Sequence, residues 1–215
     1  MKITITKEFR GLKKDVIYDF SDAKKYGKVC IAGDNGCGKS SLFQALRGFK
    51  NDAKTNSLYE SDFIKISENI SVEHEYEKMF YFDRVKDNGG DMSVAYDATG
   101  YLESGGFYTR DKSHGQSSLI YIDNFINKIK TKIVPEKSLI VLDEVDAGLS
   151  LKTQTKVINL INNLIINHKC DVIVITHNPF LISDSILVFD FIKNKFDASE
   201  RYLKNETGFI VTKLG

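Results

Sequence analysis

One short run carries the densest chemistry in the sequence. Gly33-Asp34-Asn35-Gly36-Cys37-Gly38-Lys39-Ser40-Ser41 fits G-x-x-x-x-G-K-[ST]. It lies between a β-rich run, Lys28-Val29-Cys30-Ile31-Ala32, and a stretch from Lys39 to Gly48 that reads as a helix. Glycines let a backbone wrap a phosphate with its N–H groups, and a helix N-terminus adds positive potential. Lys39 would reach the β- and γ-phosphates of a nucleotide, and the Ser40 hydroxyl would ligate Mg2+. Cys37 is incidental to this chemistry, although its thiol would sit close to nucleotide.

Three further runs match phosphoryl transfer. Leu139-Ile140-Val141-Leu142-Asp143-Glu144 is a buried-strand pattern ending in two acids. Asp143 would hold Mg2+ and Glu144 would polarise the attacking water as general base. Thr176-His177-Asn178-Pro179 follows the apolar run Val172-Ile173-Val174-Ile175. It puts His177 where a γ-phosphate sensor belongs, with Pro179 opening the next helix. Ser113-His114-Gly115-Gln116 precedes an amphipathic helix. Ser and Gly at a helix start make an anion site, although such a pair is more often only a cap.

The elements that must position these residues are legible in outline. Ile3 and Ile5 alternate with threonines, and Val16-Ile17-Tyr18 is a second β-rich run. From Phe49 to Asp111 the chain turns polar, with short β-like pieces such as Lys78-Met79-Phe80-Tyr81-Phe82, and reads as an inserted lobe. From Gln116, Leu119, Ile122, Phe125, Ile126, Ile129 and Ile133 share one helical face, and Pro135 ends that helix. Lys152 to Asn167 is the next helix. Continuous apolar strands separated by helices predict an α/β fold: a mostly parallel sheet flanked by helices, with an antiparallel β portion at the N-terminus. The 215 residues are one domain, with 1–48 and 135–215 as core and about 49–134 as the inserted lobe.

Composition narrows the class. Thirty basic and 29 acidic residues leave a formal charge of +1, a balance that does not point to a protein that coats polyanions, although a local basic patch could still bind nucleic acid. Cys30, Cys37 and Cys170 form no CxxC pair and read as reduced thiols of a cytoplasmic protein. No apolar run approaches the roughly 20 residues that span a bilayer, so no membrane insertion is expected.

In this order, the P-loop, Ser-x-Gly-Gln before a helix, Asp-Glu after an apolar strand and His after the next strand resemble the ATP-binding-cassette (ABC) ATPase superfamily. Ser113, His114, Gly115 and Gln116 resemble its signature motif. Val134-Pro135-Glu136-Lys137 is similar to the turn before Walker B, and Asp146-Ala147-Gly148-Leu149-Ser150 to the D-loop. Ser-His-Gly together with Leu-Ser is more similar to the soluble, stand-alone branch related to chromosome-maintenance, DNA-repair and phage-defence ATPases. The family's Q-loop glutamine is absent, and Asp83 is the candidate substitute at the metal. Arg10, Tyr18 and Phe20 lie in the N-terminal region where adenine is contacted, and each reads equally as surface or core.

The resemblance implies binding of ATP with Mg2+, ATP hydrolysis, and a homodimer or heterodimer that sandwiches nucleotide between one P-loop and the other signature. It further implies a separate effector protein. Nucleic acid enters only through the relatives. Lys128, Lys130, Lys132 and Lys137 are a local basic stretch, and such a run is more often a solvated face. The nearest alternative is the nucleotide-binding subunit of an ABC transporter. A GTPase would use Asp87-Asn88-Gly89-Gly90 and Asn194-Lys195-Phe196-Asp197, but it leaves Asp143, Glu144, His177 and Ser113 without a role.

Overall fold

The computed structural model describes residues 1–49, 64–83 and 114–208. The chain opens with β1 (Lys2–Ile5), β2 (Ile17–Asp19), the single-turn helix α1 (Ala23–Tyr26) and β3 (Lys28–Ala32). Next come α2 (Lys39–Phe49), β4 (Ile70–Glu73), β5 (Lys78–Asp83) and α3 (His114–Ile129). The remainder is β6 (Ser138–Asp143), α4 (Leu151–His168), β7 (Asp171–Ile175), α5 (Pro179–Ser183), β8 (Leu187–Asp190), β9 (Lys195–Ala198) and α6 (Ser199–Thr207).

Two sheets result. The larger has the order β5-β6-β7-β3-β8-β9. Its first five strands are parallel, and β9 closes one edge as an antiparallel hairpin with β8. The smaller is antiparallel, in the order β2-β1-β4. The α/β class and the antiparallel N-terminal portion are as expected.

Strand alternation divides the core between the two faces of the large sheet. Cys30, Ile140, Leu142, Val172 and Val174 point to one face, where they pack with Ile122 and Ile126 of α3 and Val157 and Ile161 of α4. Val29, Ile31, Leu139, Val141 and Ile173 point to the other, against Leu42 and Leu46 of α2 and Ile3 and Ile5 of β1. Burial on both faces is why these strands read as unbroken apolar runs rather than alternating ones.

The span expected as an inserted lobe is joined to the body at two strands. β4 pairs with β1 over Lys2↔Glu73 to Ile5↔Ile70, and β5 pairs with β6 from Lys78↔Ser138 to Asp83↔Asp143. β5 coincides with the β-like piece read at Lys78 to Phe82, whereas β4 lay unmarked among polar residues; among the described residues each has a single β partner and is only partly apolar. The four-residue run Asp87-Asn88-Gly89-Gly90 lies outside the described residues.

Candidate nucleotide site

Because five strands of the large sheet run parallel, their C-terminal ends lie along one edge, the usual ligand edge of such sheets. Gly33 follows β3, Asp83 ends β5, Asp143 ends β6, and Thr176 and His177 follow β7. The site is assembled from those ends.

The loop after β3 adopts backbone that only glycine enters easily. Gly33, Gly36 and Gly38 have φ of 150°, 78° and 103°. A Cβ on Gly38 would lie 2.6 Å from Leu12 Cδ2, so the N-terminal turn packs directly on the loop. Lys39 is only 5% exposed, yet it has no carboxylate partner within ion-pair distance among those described. Its ammonium donates to the Gly33 and Asp34 carbonyls at 2.7 and 2.8 Å, with Cys37 Sγ at 3.5 Å. A buried cation held, among the described residues, by neutral atoms of its own loop is poised for an anion. Asp34, Asn35 and Gly36 are exposed at the loop tip, and Ser40 and Ser41 begin α2 half-buried.

Asp143 is the electrostatic counterpart. It is 8% exposed, and its Oδ1 has no hydrogen-bond partner among the described residues. Burial pushes its pKa up to about 7. The Ser40 hydroxyl bond opposes that rise, the nearby Asp83 and Glu144 carboxylates add to it, and Lys39 lowers it. An orphaned carboxylate oxygen is costly unless something else fills the gap. The Ser40 hydroxyl, the Asp143 carboxylate and Asp83 beside it in register form an all-oxygen donor set. Such a set suits Mg2+, which commonly takes one or two carboxylates and completes its shell with phosphates and water. The residues therefore fit the ion.

Glu144 follows at φ 50°, a left-handed conformation uncommon for glutamate, with its N–H bonded to Ile175 O at 3.0 Å. Thr176, fully buried, donates to the Asp146 carboxylate at 2.9 and 3.0 Å and accepts from Asn178 N at 2.9 Å. Asn178 Oδ1 in turn caps α5, whose first residue is Pro179. These bonds hold the loop carrying His177 against the segment carrying Glu144. Partial burial lowers the His177 pKa, as does the Lys39 charge. Glu144, Asp146 and Asp34 oppose that shift.

No family model matches the chain. The ATP-binding protein Uup of Buchnera aphidicola subsp. Acyrthosiphon pisum is 25% identical over 199 residues, which cover 83% of this chain. The chain spans only 30% of that protein's length. The dimeric ATP-binding cassette MJ0796, solved in a post-hydrolysis state with ADP and Pi, matches 92% of this chain and 98% of its own at TM-score 0.53 and 15% identity. The fold is that of an ABC ATPase cassette.

Several residues singled out in the sequence have partners within the fold itself. Tyr18 stacks on Phe191 at 4.6 Å between ring centroids, and Phe20 is 1% exposed against Phe43 and Phe189. Both are core, which removes them as exposed base contacts. Arg10 is exposed and donates to Gln44 Oε1 at 2.9 Å. Ser150 N-caps α4, accepting from Thr153 N. Asn194 donates to the Ile17 carbonyl, and Asp197 pairs with Arg201, so both residues of the NKxD-like run have partners within the fold. Ser113 lies outside the described residues, and His114, Gly115 and Gln116 form the first turn of α3. Gln44, which reaches Asp83 at 3.0 Å, had no motif to announce it. Its only signal was its place one turn beyond Ser40 on the P-loop helix.

Proposed function

We propose that the chain is a Mg2+-dependent ATPase of the soluble, stand-alone ABC type, acting in the cytoplasm as a nucleotide-bridged dimer and driving a separate effector. The observation that carries this reading is the pair formed by Lys39, a buried ammonium tied among the described residues to its own loop, and Asp143, a buried carboxylate whose Oδ1 has no hydrogen-bond partner among them. One lacks an anion and the other a cation, and a metal–polyphosphate supplies both.

Lys39 and the loop N–H groups would hold the β- and γ-phosphates. Ser40, Asp143 and Asp83 would hold Mg2+, which when bound neutralises phosphate charge as the transition state develops. Glu144 takes a proton from a water whose oxygen bonds to the γ-phosphorus, while the bond to the β–γ bridging oxygen breaks. ADP and phosphate leave, with one net proton released. His177 donates to a γ-phosphate oxygen and fixes its orientation.

A second cassette is needed to close the site. Helix α3 begins at His114, and the first N–H groups of a helix have no partner within it. No acidic residue occupies that first turn, so nothing within the turn offsets its dipole. Offered by a partner cassette together with Ser113, these groups would complete the cage around the γ-phosphate. Among the described residues no helix is long and apolar enough to cross a membrane. Copurification with a membrane subunit would instead select the transporter-subunit reading.

The test is solution mass by light scattering on Glu144→Gln, with and without ATP and Mg2+, alongside turnover by wild type. A monomer that doubles in mass only with nucleotide is expected. An ATP-bound protein that stays monomeric would overturn the self-dimer.

A further inference from the structure

The site has one polar chain that the motifs do not account for. It starts at the N-terminal turn, where Phe9 and Leu12 exchange backbone hydrogen bonds of 3.1 and 2.8 Å and Arg10 and Gly11 take φ of 45° and 82°. Leu12 seats this turn on Gly38. From it, Arg10 Nη1 donates to Gln44 Oε1 at 2.9 Å, and Gln44 Nε2 donates to Asp83 Oδ2 at 3.0 Å. Asp83 is 7% exposed and stands in register beside Asp143, whose Oδ1 is unpartnered.

We propose that Gln44 is a positioning residue for the metal-facing edge, holding the Asp83 carboxylate beside Asp143 so that both oxygens serve one divalent cation. This rests on the Mg2+–ATP reading above. Three features support it. Gln44 rises from the same helix as Ser40, one turn along, so its amide is fixed to the P-loop rather than to a separate loop. Arginine has donors only, so it can face nothing but the amide oxygen. The amide is thereby oriented with its NH2 group toward Asp83. Finally, a hydrogen bond to one Asp83 oxygen leaves its lone pairs directed rather than free to rotate. Two carboxylates thus stand side by side at the edge, with the Gln44 amide bonded to one of them.

The test uses Mn2+ as the probe, titrated into the full chain with ATP and followed by the electron paramagnetic resonance of free Mn2+. Metal-free ATP affinity is measured separately in EDTA, and thermal midpoint by differential scanning fluorimetry. Outer partners of ligating groups are typically worth about 10- to 100-fold in metal affinity, so Gln44→Met is expected to weaken Mn2+ by about tenfold while leaving metal-free ATP affinity within about twofold. Arg10→Ala, which only frees the amide to flip, is expected to lose less, roughly threefold. Gln44→Met that lowers the thermal midpoint but holds Mn2+ as wild type does would overturn the proposal and leave a packing role. Should Gln44→Met not fold, Gln44→Glu keeps the Arg10 contact and sets like charge against Asp83, and unchanged Mn2+ affinity there has the same meaning. Wild type that binds neither ATP nor Mn2+–ATP would instead remove the underlying reading.

Discussion

The two edges of the large sheet treat their charged residues differently. At the edge where the parallel strands begin, partners are found locally. Tyr76 donates to Asp171 at 2.8 Å, Lys28 pairs with Asp184, Ser138 accepts from Val134 N at 2.8 Å, and Lys137 pairs with Glu77. At the edge where they end, Asp143 keeps an orphaned oxygen and Lys39 leans on its own loop's carbonyls. Asp190 shows that the difference is not forced by geometry. It too ends a strand at that edge, yet it accepts from Ile192 N and Lys193 N and pairs with Lys193. One edge is finished by the protein, and the other awaits a ligand at two chosen positions.

The largest expected effect strikes the open edge. Glu144→Gln should lower ATP turnover by about a hundredfold or more, the usual scale for a general base, with ATP affinity retained. Turnover in a phosphate-release assay, read beside equilibrium binding, checks this. Lys39→Ala should weaken ATP by roughly tenfold to a hundredfold, since it removes charge-assisted bonds worth about 1.5–3 kcal/mol. Unchanged affinity by calorimetry would sink the P-loop assignment and erase the contrast between the edges.

Smaller effects sharpen the comparison through stability. Tyr76→Phe strips a donor from a half-buried carboxylate and should cost about 1–2 kcal/mol in urea unfolding. Asp143→Asn, measured the same way without nucleotide, should leave stability unchanged or higher, because the oxygen it replaces has no donor to lose. Equal losses in the two variants would mean that the edges do not differ.

The smallest effect is one of pH. The His177 pKa is lowered in the fold, chiefly by desolvation and then by Lys39. The unfolded chain therefore takes up a proton first, near pH 6.5. The stabilisation linked to neutral His177 is present above that pH and is lost as pH falls through the lowered value. His177→Gln should flatten this part of the curve. Thermal midpoints between pH 7.5 and 5 for both proteins would show it.

How much of this was legible in the sequence follows from the distance over which each signal acts. Lys39, Ser40, Asp143 and Glu144 sit at fixed spacings from strands that announce themselves by apolar runs, so covalent connectivity alone puts them at strand ends. β5 was legible as a β-like piece, but its place beside β6 was not, because an edge strand carries only half an apolar signal. Tyr18 and Phe20 have the right residue types for base stacking, but Phe191 and Phe189, some 170 residues away, claimed them. Gln44 was invisible for a related reason. A glutamine on a helix matters only through what it faces, and Arg10 and Asp83 arrive there from separate parts of the chain.

The placement of β3 has a consequence for synthesis. Both of its neighbours, β7 and β8, come from the last quarter of the described chain. A nascent chain emerging from a ribosome therefore exposes the whole P-loop sequence long before the strand that anchors it has anything to pair with. Prematurely terminated products would carry the motif without the capacity to capture nucleotide.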